Sequence, residues 1–177
     1  ALFITNREIN PDYTWGEAFN TVDEAITDVD NELSVIELSE SFPGALSKIK
    51  SLSKAGFKLG VYTSDGINNT ELSLEKFKIT KNIKAIQAGE IKTADLYNEL
   101  CEELEIQAKN TIMITDSPHD LKIAKAAGAK TILVLTGIIP PNANLKIYKK
   151  EADQIINSLA ELDLSQISMS KKKAKSK

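Results

Sequence analysis

The chain carries one arginine, one cysteine and one histidine. Each scarcity removes a class of chemistry. Cys101 has no partner for an internal disulfide, which fits a reducing cytoplasm. It lies in the helical pattern Leu96–Leu104, where a packing role suits it better than a nucleophile's. Arg7 is the only arginine, so bidentate clamping of phosphate is nearly unavailable. Any phosphate contact then falls to lysine or to backbone N–H groups. Long apolar runs are also missing. None approaches the roughly 18–20 residues that span a bilayer. The first apolar run, Ala1–Ile4, is shorter than the core of a secretion signal. The expectation is a cytoplasmic protein without a membrane partner.

Basic charge is absent over a long stretch. From Glu8 to Ser47 there is no Lys or Arg, while ten acids occur. The last seven residues, Lys171–Lys177, hold five lysines, and without them the net charge falls from −3 to −8. An acidic body argues against nucleic-acid binding by the fold itself. The tail could touch a phosphate polymer or an acidic partner, but a solvated, flexible end is the better explanation. At 177 residues, 42% hydrophobic and 27% charged, the chain suits one ordinary globular domain. We assign that domain to residues 1–164 and the flexible tail to 165–177.

What is present is an alternation of strand and helix patterns. Leu2–Ile4 suits a short strand. Trp15–Ser39 is acidic and helical, with Ala18, Val22, Ala25, Ile26 and Val29 at helix spacing. After Pro43-Gly44, Ala45–Ala55 places Ala45, Leu46, Ile49 and Leu52 on one helical face, and Gly56 ends it. Strands follow at Lys58–Tyr62, Ile83–Gln87, Thr111–Thr115, Thr131–Leu135 and Gln154–Ile156. Helices fall between them at Asn69–Phe77, Thr93–Leu104 and Leu121–Ala127, and a last helical turn follows. Such alternation builds βαβ units and a parallel sheet with helices on both faces.

Chemistry-bearing residues recur where those strands end. Thr63 and Ser64 close the strand Lys58–Tyr62, where a hydroxyl and a backbone N–H suit a phosphoryl oxygen. Lys92 opens a helix, where its charge can offset both a nucleophile and a phosphate. Asp116 and Asp120 follow Thr111–Thr115, and paired hard oxygens suit Mg²⁺. Each has a plainer explanation alone. Thr63 suits a strand-end turn, Lys92 a solvated helix start, and the two aspartates an N-cap and a first-turn acid. His119 lies between the aspartates and suits an exposed loop rather than a Mg²⁺ ligand. Order and spacing together carry the signal.

Pro43–Leu159 resembles the core of the haloacid dehalogenase superfamily, mostly phosphatases. Pro43-Gly matches its helix start, Thr63 its second motif, Lys92 its third, and Asp116 with Asp120 its acidic fourth. Two departures are visible: Lys92-Thr-Ala-Asp95 stands for the usual Lys-Pro-x-Pro, and Thr115 for a frequent glycine. The resemblance implies an α/β three-layer sandwich with a mostly parallel Rossmann-like sheet. It also implies Mg²⁺ as cofactor, a phosphorylated substrate, and phosphoryl transfer to an aspartate followed by hydrolysis. Trp15–Ser39 stands in the place of that family's cap. So short a cap would leave the site open to bulky substrates, and its acidity would suit a basic protein partner.

The family's first motif, Asp-x-Asp-x-Thr after an apolar strand, is not intact. Asn10-Pro-Asp12-Tyr-Thr14 keeps the spacing with asparagine in the nucleophile's place, but Thr5–Glu8 before it is polar for a central strand. Asn6-Arg-Glu8 follows a better strand, Leu2–Thr5, and retains neither aspartate. Asp12-Tyr-Thr14 reads as an Asp-x-Thr, with Pro11 awkwardly at the strand end. Leu2–Thr5 is the favoured first strand. An asparagine amide attacks phosphorus poorly, so an Mg²⁺-dependent phosphatase and a catalytically silent relative acting as a subunit both stand. The catalytic candidates are Asn10, Asp12, Thr63 and Lys92. A response-regulator-like receiver would want an acidic pair after the first strand and a mid-sheet phosphoacceptor aspartate, and the sequence offers neither.

Overall fold

The computed structural model describes residues 40–89, 91–137, 139 and 143–163. The expected strand at Leu2–Ile4, the acidic helical stretch Trp15–Ser39 and the lysine tail lie outside them. Chain contacts divide the molecule after Glu40, and every element below belongs to the unit from Ser41 onward.

In chain order the elements are α1 (Ala45–Lys54), β1 (Leu59–Tyr62), α2 (Ile67–Lys76), β2 (Ile83–Gln87), α3 (Ala94–Glu103), β3 (Ile112–Thr115), α4 (Pro118–Ala126), β4 (Lys130–Val134) and β5 (Gln154–Ile156). The last helical turn is a 3₁₀ turn at Leu159–Glu161. Among the described residues the strands pair in two parallel sheets, β1-β2 and β3-β4-β5. The α/β architecture is as expected. Each parallel pair is joined by a crossover, α-helical from β1 to β2 and from β3 to β4 and carrying a 3₁₀ turn at Leu145–Ile147 from β4 to β5, so the C-terminal strand ends of each sheet gather at one edge.

Local chemistry explains the boundaries. Gly44 adopts φ 77 ahead of α1, and a Cβ there would lie 2.7 Å from Ala160 Cβ. Only glycine meets both conditions at low cost. Thr93 caps α3, its hydroxyl accepting the Leu96 N–H. Tyr97, Leu100 and Cys101 then fall on one buried face. The helix α4 starts three residues before the apolar pattern does. Ser117 accepts the Asp120 N–H, and Pro118 occupies the first turn, where its missing N–H costs nothing. His119 is therefore exposed in a helical first turn, not in a loop. Gly128, at φ 84, ends α4.

The core follows from burial on both sheet faces. In β4, Thr131, Ile132 and Leu133 are almost fully buried, the continuous pattern of a parallel central strand. Leu133 packs with Leu121, Ile139 and Ala152, and Ile132 with Ile156 and Leu162. Burying each such side chain contributes about 1.5–3 kcal/mol. Thr131, the buried polar exception, has its needs met. Its hydroxyl donates to Glu151 O at 2.6 Å, and its N–H donates to Asp153 Oδ2 at 2.9 Å. Lys125 Nζ lies 3.0 Å from Asp153 Oδ1. Burial pushes the Asp153 carboxyl up, but Lys125 and the Thr131 N–H outweigh it and hold the group below its ordinary value.

Candidate active site

Register places the candidate residues at one edge. In the first sheet Tyr62 pairs with Gln87, and the Thr63 N–H extends the ladder by donating to Gln87 O at 2.9 Å. Thr63 thus stands just beyond the end of β1. Its Oγ1 accepts the Asp65 N–H at 3.1 Å, which orients the hydroxyl. In the second sheet Thr115 pairs with Leu133, so Asp116 begins the loop beyond β3. Lys92 precedes the cap of α3, after a turn at Gly89.

These residues converge. Lys92 Nζ lies 2.8 Å from Asp120 Oδ2, and the two side chains are 20% and 4% exposed. The same carboxylate oxygen accepts from Thr115 Oγ1 at 3.0 Å, and Thr115 Oγ1 accepts the Ser117 N–H at 3.1 Å. A threonine in place of the family's frequent glycine therefore supplies a second donor to Asp120. Asp116 is half-buried, and the chain at Gly137 passes directly against its carboxylate. A Cβ on Gly137 would collide with it.

Thr63, Lys92, Asp116, Asp120, Thr136 and Gly137 line a cleft of about 620 Å³ that also runs along β1 and β3. Asp116 and Asp120 are the only carboxylates in its lining among the described residues. Ser64 is exposed and not part of that lining. Asn10 and Asp12 lie outside the described residues.

Among the described residues no group of three or more His, Cys, Asp or Glu side chains could hold a metal. Two neighbouring carboxylates without a soft ligand still meet the requirement of Mg²⁺, which takes one or two carboxylates and keeps its waters. The residues fit that ion and not a zinc cage. Cys101 is no competitor, being 4% exposed, with burial pushing its thiol up.

The profile of the haloacid dehalogenase-like hydrolases matches residues 5–134. The chain belongs to this family. The match reaches well ahead of Pro43, where the motif resemblance begins. The pyrophosphatase PpaX of Bacillus mycoides is 25% identical over 132 residues, which span 71% of this chain and 60% of that protein. A phosphoglycolate phosphatase of Rhodospirillum rubrum is 27% identical over 128 residues, 69% of this chain and 48% of that one. A variant of CbbY from Rhodobacter sphaeroides, solved with xylulose-(1,5)bisphosphate, superposes with a TM-score of 0.58 at 26% identity. That likeness covers 68% of this chain and 55% of the CbbY chain. The chain thus spans about half the length of the curated relatives it matches.

In this haloacid dehalogenase-like hydrolase, three contributors to the site lie outside the motifs the sequence displays. Tyr62 places its ring below Lys92, with Nζ 5.5 Å from the ring centre. Burial, and then the charge of Asp120, push its phenol up against the bond to Thr93. Gly137 and Thr136 reach the site from the loop after β4. Position beyond a strand's C-terminal end was the available signal for these two. Nothing in the sequence marks Tyr62 except its place before Thr63. Among the described residues no helix is long and apolar enough to cross a membrane.

Proposed function

We propose that this haloacid dehalogenase-like chain binds and hydrolyses a phosphate monoester with Mg²⁺. The observation that carries the reading is the convergence of Thr63, Lys92, Asp116 and Asp120 on one cleft, with Lys92 paired to Asp120 at 2.8 Å. In this reading the Thr63 hydroxyl donates to one phosphoryl oxygen and Lys92 offsets the charge on others. Asp116 and Asp120 hold the metal. One oxygen of Asp120 is shared with Lys92 and Thr115. When bound, Mg²⁺ supplies positive charge that steadies the phosphoryl oxygens. Asp12 is assigned the acid/base role, giving a proton to the leaving alcohol and then taking one from the attacking water. The site would work on a soluble phosphorylated compound in the cytoplasm, with a protein partner for the acidic N-terminal stretch.

A second reading follows from the cleft's carboxylates. Both Asp116 and Asp120 serve the metal, so a nucleophile has to come from the N-terminal segment. With Asn10 in that place the chain binds phosphate without cleaving it and serves as a subunit. Hydrolysis of an aryl phosphate, with and without Mg²⁺, separates the readings. Mg²⁺-dependent turnover that disappears in Asp116→Asn and Asp12→Asn supports the enzyme. Turnover that appears only in Asn10→Asp supports the silent relative. No turnover in any of these, together with no binding of inorganic phosphate, sinks both.

A further inference from the structure

We propose that Tyr62 positions Lys92, holding its ammonium over the phosphate-binding edge through its ring and fixing the lysine's backbone through its hydroxyl. The inference rests on the phosphate-site reading above. A lysine ammonium is a point charge on a flexible four-carbon stem. One ion pair to Asp120 sets a distance and leaves the direction loose. Lys92 also stands between Gly89 and the first turn of α3, outside any helix or strand. Something further has to hold it.

Tyr62 meets that need at two points. Its ring centre lies 5.5 Å from Lys92 Nζ, within the reach of a cation–π contact. Its hydroxyl donates to the carbonyl of Thr93, the next residue, at 2.6 Å. The ring is itself braced. Tyr97 stands edge-on to it, with centroids 5.8 Å apart and planes at 64°. Tyr97 is 3% exposed and shares a 2.5 Å hydrogen bond with Thr111 Oγ1. From the other side His119 Nε2 lies 3.4 Å from the carbonyl of Lys92. The chain of contacts runs from half-buried Thr111 through buried Tyr97 and Tyr62 to the ammonium. Tyr62 is also the residue before Thr63, so one side chain ties the two predicted phosphate contacts together. A structural aromatic would need only the packing against Tyr97. The bond to Thr93 O and the face turned to Lys92 serve the lysine.

The test uses the full chain with ¹⁵N-labelled lysine and reads the Lys92 ammonium signal and the affinity for inorganic phosphate. Tyr62→Leu is expected to broaden the signal away and weaken phosphate binding roughly tenfold. Tyr62→Phe keeps the ring and should retain the signal, with about a threefold loss from the missing hydroxyl. In a Lys92→Gln background, Tyr62→Leu should change phosphate binding no further. A folded Tyr62→Leu with the wild-type signal and affinity overturns the proposal, as does an undiminished loss in the Lys92→Gln background. If Tyr62→Leu fails a thermal unfolding check, Tyr62→Met takes its place under the same criteria. If the wild type ignores inorganic phosphate, the phosphate-site reading fails, and the ammonium signal alone still decides the role of Tyr62.

Discussion

Lys92 and Asp120, 28 positions apart, form an ion pair at 2.8 Å that joins the start of α3 to the first turn of α4. The pair is asymmetric: Asp120 is 4% exposed and Lys92 is 20% exposed. Removing the lysine strands a buried charge, whereas neutralising the aspartate leaves an ammonium that can turn toward water. Lys92→Met is therefore expected to destabilise the fold by about 2–4 kcal/mol. Asp120→Asn should cost about 1–2 kcal/mol. Urea unfolding of the two variants checks the order, and equal costs would show that burial does not govern the pair.

Gly137 is exposed, yet a side chain there has no room beside the Asp116 carboxylate. Gly137→Ala should destabilise the fold by about 1–3 kcal/mol, because the added methyl overlaps the Asp116 side chain. It should weaken Mg²⁺ binding by roughly 10–100-fold, as the loss of a ligand's support does. Calorimetric titration with Mg²⁺ reads this directly. A wild-type affinity would mean that Asp116 does not need its present position.

Asp153 links folding to pH. Its carboxyl titrates below its ordinary value of 3.8 in the folded chain, so folding favours the ionised form. That stabilisation is fully present above the ordinary value and is lost as pH falls through the lowered one. Asp153→Asn should be less stable than wild type near neutrality, with the gap closing in acid below pH 3.8. Unfolding midpoints across that range provide the test. A gap that stays constant would place the effect of Asp153 in packing, not in charge.

Leu133 and Leu72 have the same side chain in opposite surroundings. Leu133 is fully buried in β4, while Leu72 is 52% exposed on α2. Leu133→Ala is expected to cost about 2–5 kcal/mol. Leu72→Ala should change stability by about 0.5 kcal/mol or less. Thermal unfolding of the pair measures how far burial alone sets the cost.

The strand and helix pattern after Pro43 was legible because its periods are local. Alternating βαβ units need only runs such as Thr111–Thr115 and punctuation such as Gly128. The bounds of β2 and β5 came out as expected, while α4 began three residues early because Ser117 and Pro118 form a cap that hydrophobic spacing does not register. The family resemblance was likewise legible, since it rests on residue types at spacings along the chain. Thr63, Lys92, Asp116 and Asp120 were all named from such spacings.

Sequence by itself therefore determined the fold class, the family, and which side chains belong to one strand-end edge. A parallel sheet gathers its C-terminal ends whatever the details of packing, so spacing carries that much. Tertiary structure alone decided which atoms meet. It set Asp120 against Lys92, brought Gly137 against Asp116 from a distant loop, and turned the ring of Tyr62 beneath the lysine. Those contacts depend on register and on side-chain direction between residues far apart in the chain, and no local period encodes either.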